Sequence, residues 1–206
     1  MKTIKLSLVA FATFFVIGAN AQVGLQAGYS NSKETGSGLS LNGFHIGPAA
    51  EMTIQGPISL QYALLYNYLT RSNEVSILEQ SVKTTTTAHT LDLPFRVAAN
   101  FPMNNGIGVF IFGGPNFSYA LSQVTKASTS GLIENELNTE NIYKLELSNG
   151  KKAYSPFDLQ LGIGGGIKYK SISLSASYDW GMLDRYNAEN GVWKNNDLKI
   201  SLGYNF

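Results

Sequence analysis

Apolar and polar residues alternate with period two along most of the chain. From Gln22 to Ser30, Val23, Leu25, Ala27 and Tyr29 occupy every second position, between Gln22, Gly24, Gln26, Gly28 and Ser30. A second segment sets Phe44, Ile46, Pro48, Ala50, Met52 and Ile54 against His45, Gly47, Ala49, Glu51 and Thr53. A third sets Ile58, Leu60, Tyr62, Leu64, Tyr66 and Tyr68 against Ser59, Gln61, Ala63 and Asn67, and a fourth sets Leu91, Leu93, Phe95, Val97 and Ala99 against Thr90, Asp92, Pro94, Arg96 and Ala98. Ile107 to Ala120 is less regular, because Phe110 and Phe112 fall on the face opposite Val109, Ile111, Phe117 and Tyr119. Regularity returns in segments centred on Leu161, Ala176 and Leu202. Successive side chains of a strand point to opposite faces, so each segment reads as a strand between two different environments. About eight strands of roughly 9–14 residues follow, long enough to cross a bilayer when tilted.

The connections sort themselves by length. Those at 55–57, 101–105 and 170–171 are tight, whereas 31–42, 69–88, 121–154 and 183–196 are long and polar. Short and long links alternate, which places every long loop at one end of the molecule and both termini at the other. Short periplasmic turns and long outer loops are how outer-membrane barrels are built. The expected fold is therefore all-β, a transmembrane antiparallel up-and-down β-barrel of about eight strands. A soluble ligand-carrying barrel is the competing architecture, but its large apolar residues point inward. Here the non-apolar face is Gly, Ser, Ala and a few charges, while Tyr29, Tyr68, Tyr119, Tyr169, Trp180 and Phe206 stand near strand ends on the bulky face, where interfacial aromatic girdles belong. Within the longest loop Tyr143, Leu145 and Leu147 alternate up to Asn149-Gly150, a two-residue hairpin signal. It is read as a hairpin projecting beyond the membrane; counted as two further spanning strands, it would make ten.

Composition narrows the picture. Charged residues make up 14% of the chain and the formal net charge is +1, which gives no electrostatic footprint for a nucleic-acid partner. Cysteine is absent, which excludes disulfides, thiol catalysis and thiolate-bound metal. At the N-terminus Lys2 and Lys5 precede an apolar run from Leu6 to Gly18 and the sequence Ala19-Asn20-Ala21. That is the layout of a cleaved signal peptide, residues 1–21, ahead of a barrel domain, residues 22–206. No later window holds the ~18 consecutive apolar residues of a membrane-spanning helix.

The strands also carry a family resemblance. Leu91-Asp92-Leu93-Pro94-Phe95-Arg96, Gly113-Gly114-Pro115-Asn116-Phe117-Ser118-Tyr119, the Phe157 to Gly166 run and Tyr178-Asp179-Trp180-Gly181-Met182 resemble, in order and spacing, the PorT-like or porin-family outer-membrane β-barrel proteins. The resemblance implies a bacterial outer-membrane location with periplasmic termini, and it says little about activity. The last strand, with Phe206 preceded by Tyr204 and Leu202, looks like the signal by which barrel-assembly machinery recognises its clients.

Candidate chemistry is sparse. His45 faces the interior and His89 the exterior, and no spacing ties either to a nucleophile. No metal-ligand pattern and no cofactor motif occurs; Gly162 to Gly166 lies inside a strand and lacks the ending of a phosphate loop. Seven charges point inward: Glu51, Asp92, Arg96, Asp158, Lys168, Asp179 and Lys199. A lumen of about eight strands is filled by its own side chains, so these charges are expected to pair, Lys199 with Asp179 and Arg96 with Glu51. The expectation is a non-enzymatic barrel with a plugged polar lumen, surrounded by outer-membrane lipid. It would act through outer loops on a protein or polysaccharide partner, with Tyr143, Asn149, Gly150 and Trp193 as binding candidates. A passive small-solute porin and a lipid-modifying enzyme are the alternatives.

Overall fold

A computed structural model describes residues 21–77, 80–130, 135–148, 150–187 and 191–206. Residues 1–20 of the signal peptide expected over 1–21, and the candidate Asn149, lie outside the described residues, whereas Ala21 opens the first strand, opposite Met52. Among the described residues ten strands form: β1 (Ala21–Glu34), β2 (Ser40–Gln55), β3 (Ile58–Ala63), β4 (Leu65–Ile77), β5 (Gln80–Pro102), β6 (Ile107–Ser130), β7 (Asn135–Asn138), β8 (Phe157–Tyr169), β9 (Ile172–Gly181) and β10 (Asn195–Asn205). Every pairing is antiparallel, and the ladder closes on itself through β1–β2, β5–β6, β6–β8, β8–β9, β9–β10 and β10–β1.

Ten segments make an eight-stranded wall. β3 and β4 both lie between β2 and β5, so they are one wall strand interrupted at Leu64. The interruption faces Pro48 of β2, which has no N–H to give the ladder, although the Leu64 amide still reaches the Pro48 carbonyl at 3.0 Å. β7 pairs only with β6 and stays outside the ring.

The tight turns lie where expected, at Gly56, at Asn105–Gly106 and at Lys170, each with positive φ. The long connections are more ordered than their polarity suggests. β4 and β5 remain paired from Leu65–Asp92 out to Ile77–Gln80, and β6 follows β5 out to the Ser130–Ser81 pair. The expected loop at 69–88 is thus a hairpin, and the start of the 121–154 loop is a strand. Thr84 to Thr87 explains why: a β-branched run favours strand, but with threonine on both faces it shows no alternation to read, even though Thr86 is buried against Thr125. At 3.3–3.4 Å per residue, about ten residues of this sheet reach about 30 Å past the ring.

Leu25, Ile46, Ile111, Ile163 and Leu202 on the outer face are all more than half exposed. A contiguous apolar belt of that kind belongs in lipid. The interior is the reverse: His45, Asn67, Asp92, Asn116, Asp158, Gln160 and Asp179 are all fully buried. Phe110 and Phe112, which broke the alternation of β6, lie inside, stacked 5.9 Å apart. They fit because their neighbours on β8 are glycines; a Cβ on Gly164 would come within 2.4 Å of the Phe112 ring and one on Gly166 within 2.7 Å of Phe110.

Candidate functional site: a plugged lumen and its outer cap

Inward positions on different strands meet because the lumen is narrower than the side chains that cross it. At the tight-turn end, Lys168 of β8 reaches Glu51 of β2 at 2.5 Å. Asn100 accepts from Lys168 at 3.0 Å and donates to Glu51 at 3.1 Å, and Ser59 donates to the same carboxylate at 2.6 Å. Farther in, Arg96 of β5 pairs with Asp179 of β9 and donates to the Gly114 carbonyl. Lys199 of β10 lies 2.9 Å from Asp92 of β5 and 3.7 Å from Asp197. Gln160 accepts from Asn116 at 2.7 Å and donates to Asp197 at 2.9 Å and Asp158 at 3.4 Å.

The expected partners were different ones. Lys199 pairs with Asp92 and Asp197 instead of Asp179, and Arg96 pairs with Asp179 instead of Glu51. Parity assigns residues to the lumen but matches them only with strands beside their own. Among the described residues the three strand-to-strand pairs, Lys168–Glu51, Arg96–Asp179 and Lys199–Asp92, all cross the lumen.

The histidines occupy unlike settings. His45 has no exposed surface; its Nδ1 is 2.8 Å from Ser30 Oγ and its Nε2 is 2.9 Å from Ser201 Oγ. The serines are beside it, but the imidazole is enclosed in the plug, out of reach of a lipid substrate. His89 faces outward, with Nδ1 2.6 Å from the Tyr66 hydroxyl and its ring edge-on to Tyr68. It works as part of an aromatic belt that Phe44 continues, stacked 5.6 Å from Tyr68.

Above the plug the long loops fold over the barrel. Arg185 donates to the Tyr143 hydroxyl at 2.8 Å and the Ser155 carbonyl at 3.0 Å, beneath the Trp193 ring 5.7 Å away. Gln123 continues the chain of contacts, donating to Glu34 at 3.2 Å. Tyr143 and Trp193 are both buried, so the two aromatic residues read as loop anchors are structural members of this cap. Burial raises the Tyr143 phenol above its ordinary range, partly offset by Arg185. Gly150, with φ of 76°, does turn a hairpin: its amide reaches Leu147 O at 2.9 Å and the Leu147 amide reaches Lys151 O at 2.7 Å. Tyr154 and Tyr186 bridge this hairpin's base to the following loop. Arg185, Glu34 and Asp197 were not among the sequence-derived candidates. Asp197 could have been found, since it shares the inward parity of Lys199; Arg185 and Glu34 act from loop and strand-end positions where parity carries no information.

The cap has an acid-sensitive tie. Asp184 accepts from the Trp193 amide at 2.9 Å and the Tyr186 amide at 3.0 Å, and these bonds hold its carboxyl below the usual carboxylate range. A depressed folded-state pKa stabilises the closed loop above the unfolded-state value, and the contribution is lost as pH falls through the folded one. With Trp180→Phe leaving Trp193 as the only indole, its emission should shift on acidification. Asp184→Asn, which keeps an acceptor oxygen, should abolish that shift; an unchanged acid response would reject the tie.

At the other end Leu202, Tyr204 and Phe206 point outward from β10, with Tyr204 and Phe206 edge to face at 5.6 Å. The Phe206 amide donates to Val23 O at 2.9 Å, so Phe206 extends the β10–β1 ladder that closes the ring.

A family model described as "Outer membrane protein beta-barrel domain" matches residues 11–187. No curated protein matches the chain. Similar solved structures include Neisserial surface protein A, 17% identical, covering 91% of this chain and 99% of the other at a TM-score of 0.48. The attachment invasion locus protein Ail of Yersinia pestis is 14% identical over 91% and 99% of the two chains, with a TM-score of 0.43. The N-terminal β-barrel domain of Pseudomonas aeruginosa OprF is 12% identical over 91% and 100%, at 0.31.

Proposed function

The chain belongs to the outer membrane protein β-barrel domain family, and on that premise we propose that it is a non-conducting, non-enzymatic member that works through the parts standing outside the membrane. The observation that carries this reading is the set of ion pairs across the lumen: Arg96–Asp179 and Lys199–Asp92 are both buried, so solute passage would have to break them. Removing one partner of such a pair is strongly destabilising, and the outer cap adds a second obstruction. With the lumen filled, the surface left for recognition is the β4–β7 sheet, a segment held out from the barrel wall, where binding residues commonly lie. Val75, Val82 and Leu137 are exposed on it. Its partner is a protein or polysaccharide at the cell surface, the termini face the periplasm, and the narrower PorT-like kinship rests on the strand motifs.

Conductance in planar bilayers tests the reading. The purified barrel should insert without a stable open state, and a steady ohmic channel from the unmodified protein would overturn it. Shortening the β4–β5 hairpin by deleting residues 72–86 should leave a heat-modifiable barrel while removing surface retention of the partner.

A further inference from the structure

The lumen is not filled to its tight-turn end. Between the Arg96–Asp179 and Lys199–Asp92 pairs and the mouth lies a cavity of about 100 Å³. Its polar wall is the inward row of β9, Ser173, Ser175 and Ser177, all partly exposed to the cavity. Among the described residues these three hydroxyls have no hydrogen-bond partner. Its apolar wall carries the Phe110 and Phe112 rings. The charges that border it are already matched, as Asp92–Lys199, Asp179–Arg96 and Glu51–Lys168. Glu51 and Lys168 also line the open groove at the mouth, so the two spaces meet at that pair, and Lys168 is the more exposed partner at 25%.

We propose that this cavity is a binding site for a small neutral polyol that enters from the tight-turn end past Glu51 and Lys168. Paired charges leave no electrostatic preference for an ion. Unengaged hydroxyls recur every second residue, about 6.7 Å apart along the strand, and supply donors and acceptors to several ligand hydroxyls. The phenyl rings receive the ligand's C–H edge. Size sets the upper limit: a cavity of ~150 Å³ accommodates benzene, and a water takes ~30 Å³, so the space suits a three- or four-carbon polyol and excludes a disaccharide. The site is independent of the outer sheet, and each reading can fail without the other.

Because the chain has no cysteine, Ser175→Cys introduces a unique thiol on the cavity wall. In the folded full-length barrel it should react with methyl methanethiosulfonate, and glycerol should slow that reaction several-fold more than it slows Ser72→Cys on the exposed hairpin. Sucrose at the same concentration should slow both equally. Equal slowing by glycerol would mean that the cavity holds water only, and an unreactive Ser175→Cys would mean that it is closed; either result overturns the proposal. Ser177→Cys repeats the test should Ser175→Cys not fold. In the unmodified protein, NMR cross-relaxation between glycerol and the Phe110 and Phe112 ring protons should be present, and its absence counts against the site.

Discussion

Lys199→Met should lower the stability of the barrel by about 3–5 kcal/mol, the cost of removing one partner from a buried ion pair. Lys199 is 5% exposed, and its ammonium lies 2.9 Å from Asp92 and 3.7 Å from Asp197. Methionine keeps most of the stem's length and packing but none of its charge. Asp92, itself 1% exposed, would then keep contacts only with neutral neighbours, and Asp197 would lose its nearest cation. Asp92→Asn in the same chain should restore much of the loss, since an amide needs no counter-charge. Lys168→Met is the control: that pair is only partly buried, and its removal should cost about 2 kcal/mol or less, between the exposed and the fully buried cases. Urea titration of the folded barrel in detergent measures all four proteins. A Lys199→Met loss no larger than that of Lys168→Met would show that the central pair does not hold the plug.

The same residues show how far the sequence could be read. Parity put Asp92, Arg96, Asp158, Asp179 and Lys199 in the lumen, because the period of a strand is fixed by backbone geometry. The closed ring, its eight wall positions and the turns at one end followed from the same periodicity and from loop lengths. Partner choice did not follow. It depends on strand tilt and on which side chains span a narrow barrel, so Lys168 of β8 finds Glu51 of β2 on the far wall. The projecting sheet was hidden for another reason: Thr84 to Thr87 put the same residue type on both faces, and nothing in their polarity separates strand from loop or marks Thr86 as buried. Trp193 shows a third limit. A Trp among polar neighbours reads as a surface anchor, but here it packs edge-on against Tyr154 at 4.5 Å over Arg185.

The glycines of β8 were legible as small but not as the seat of a charge pair, and Gly162→Ala should expose that role. Gly162 faces Asp179 across the β8–β9 ladder and Gly114 across β6–β8. A Cβ there would lie 1.9 Å from Asp179 Oδ1 and 2.9 Å from Arg96 Nη2, inside the contact distance of both. Arg96 also donates to Gly114 O, so it cannot retreat without giving up a second bond. One methyl group should therefore separate a buried pair and cost about 3 kcal/mol or more, in the range for breaking such a pair. Gly113→Ala is the matched control, since its nearest neighbour would be 3.5 Å away; it should change stability by about 0.5 kcal/mol at most, as for an uncrowded surface site. The cause can be isolated by a cycle in which Arg96→Met and Asp179→Ala are made together. In that background the added methyl finds space, and the cost of Gly162→Ala should fall below about 1 kcal/mol, the difference being the coupling between glycine and ion pair. If Gly162→Ala costs as much without the pair as with it, the damage lies in the backbone of the wall, and the glycine's role is curvature rather than room for the Arg96–Asp179 bridge.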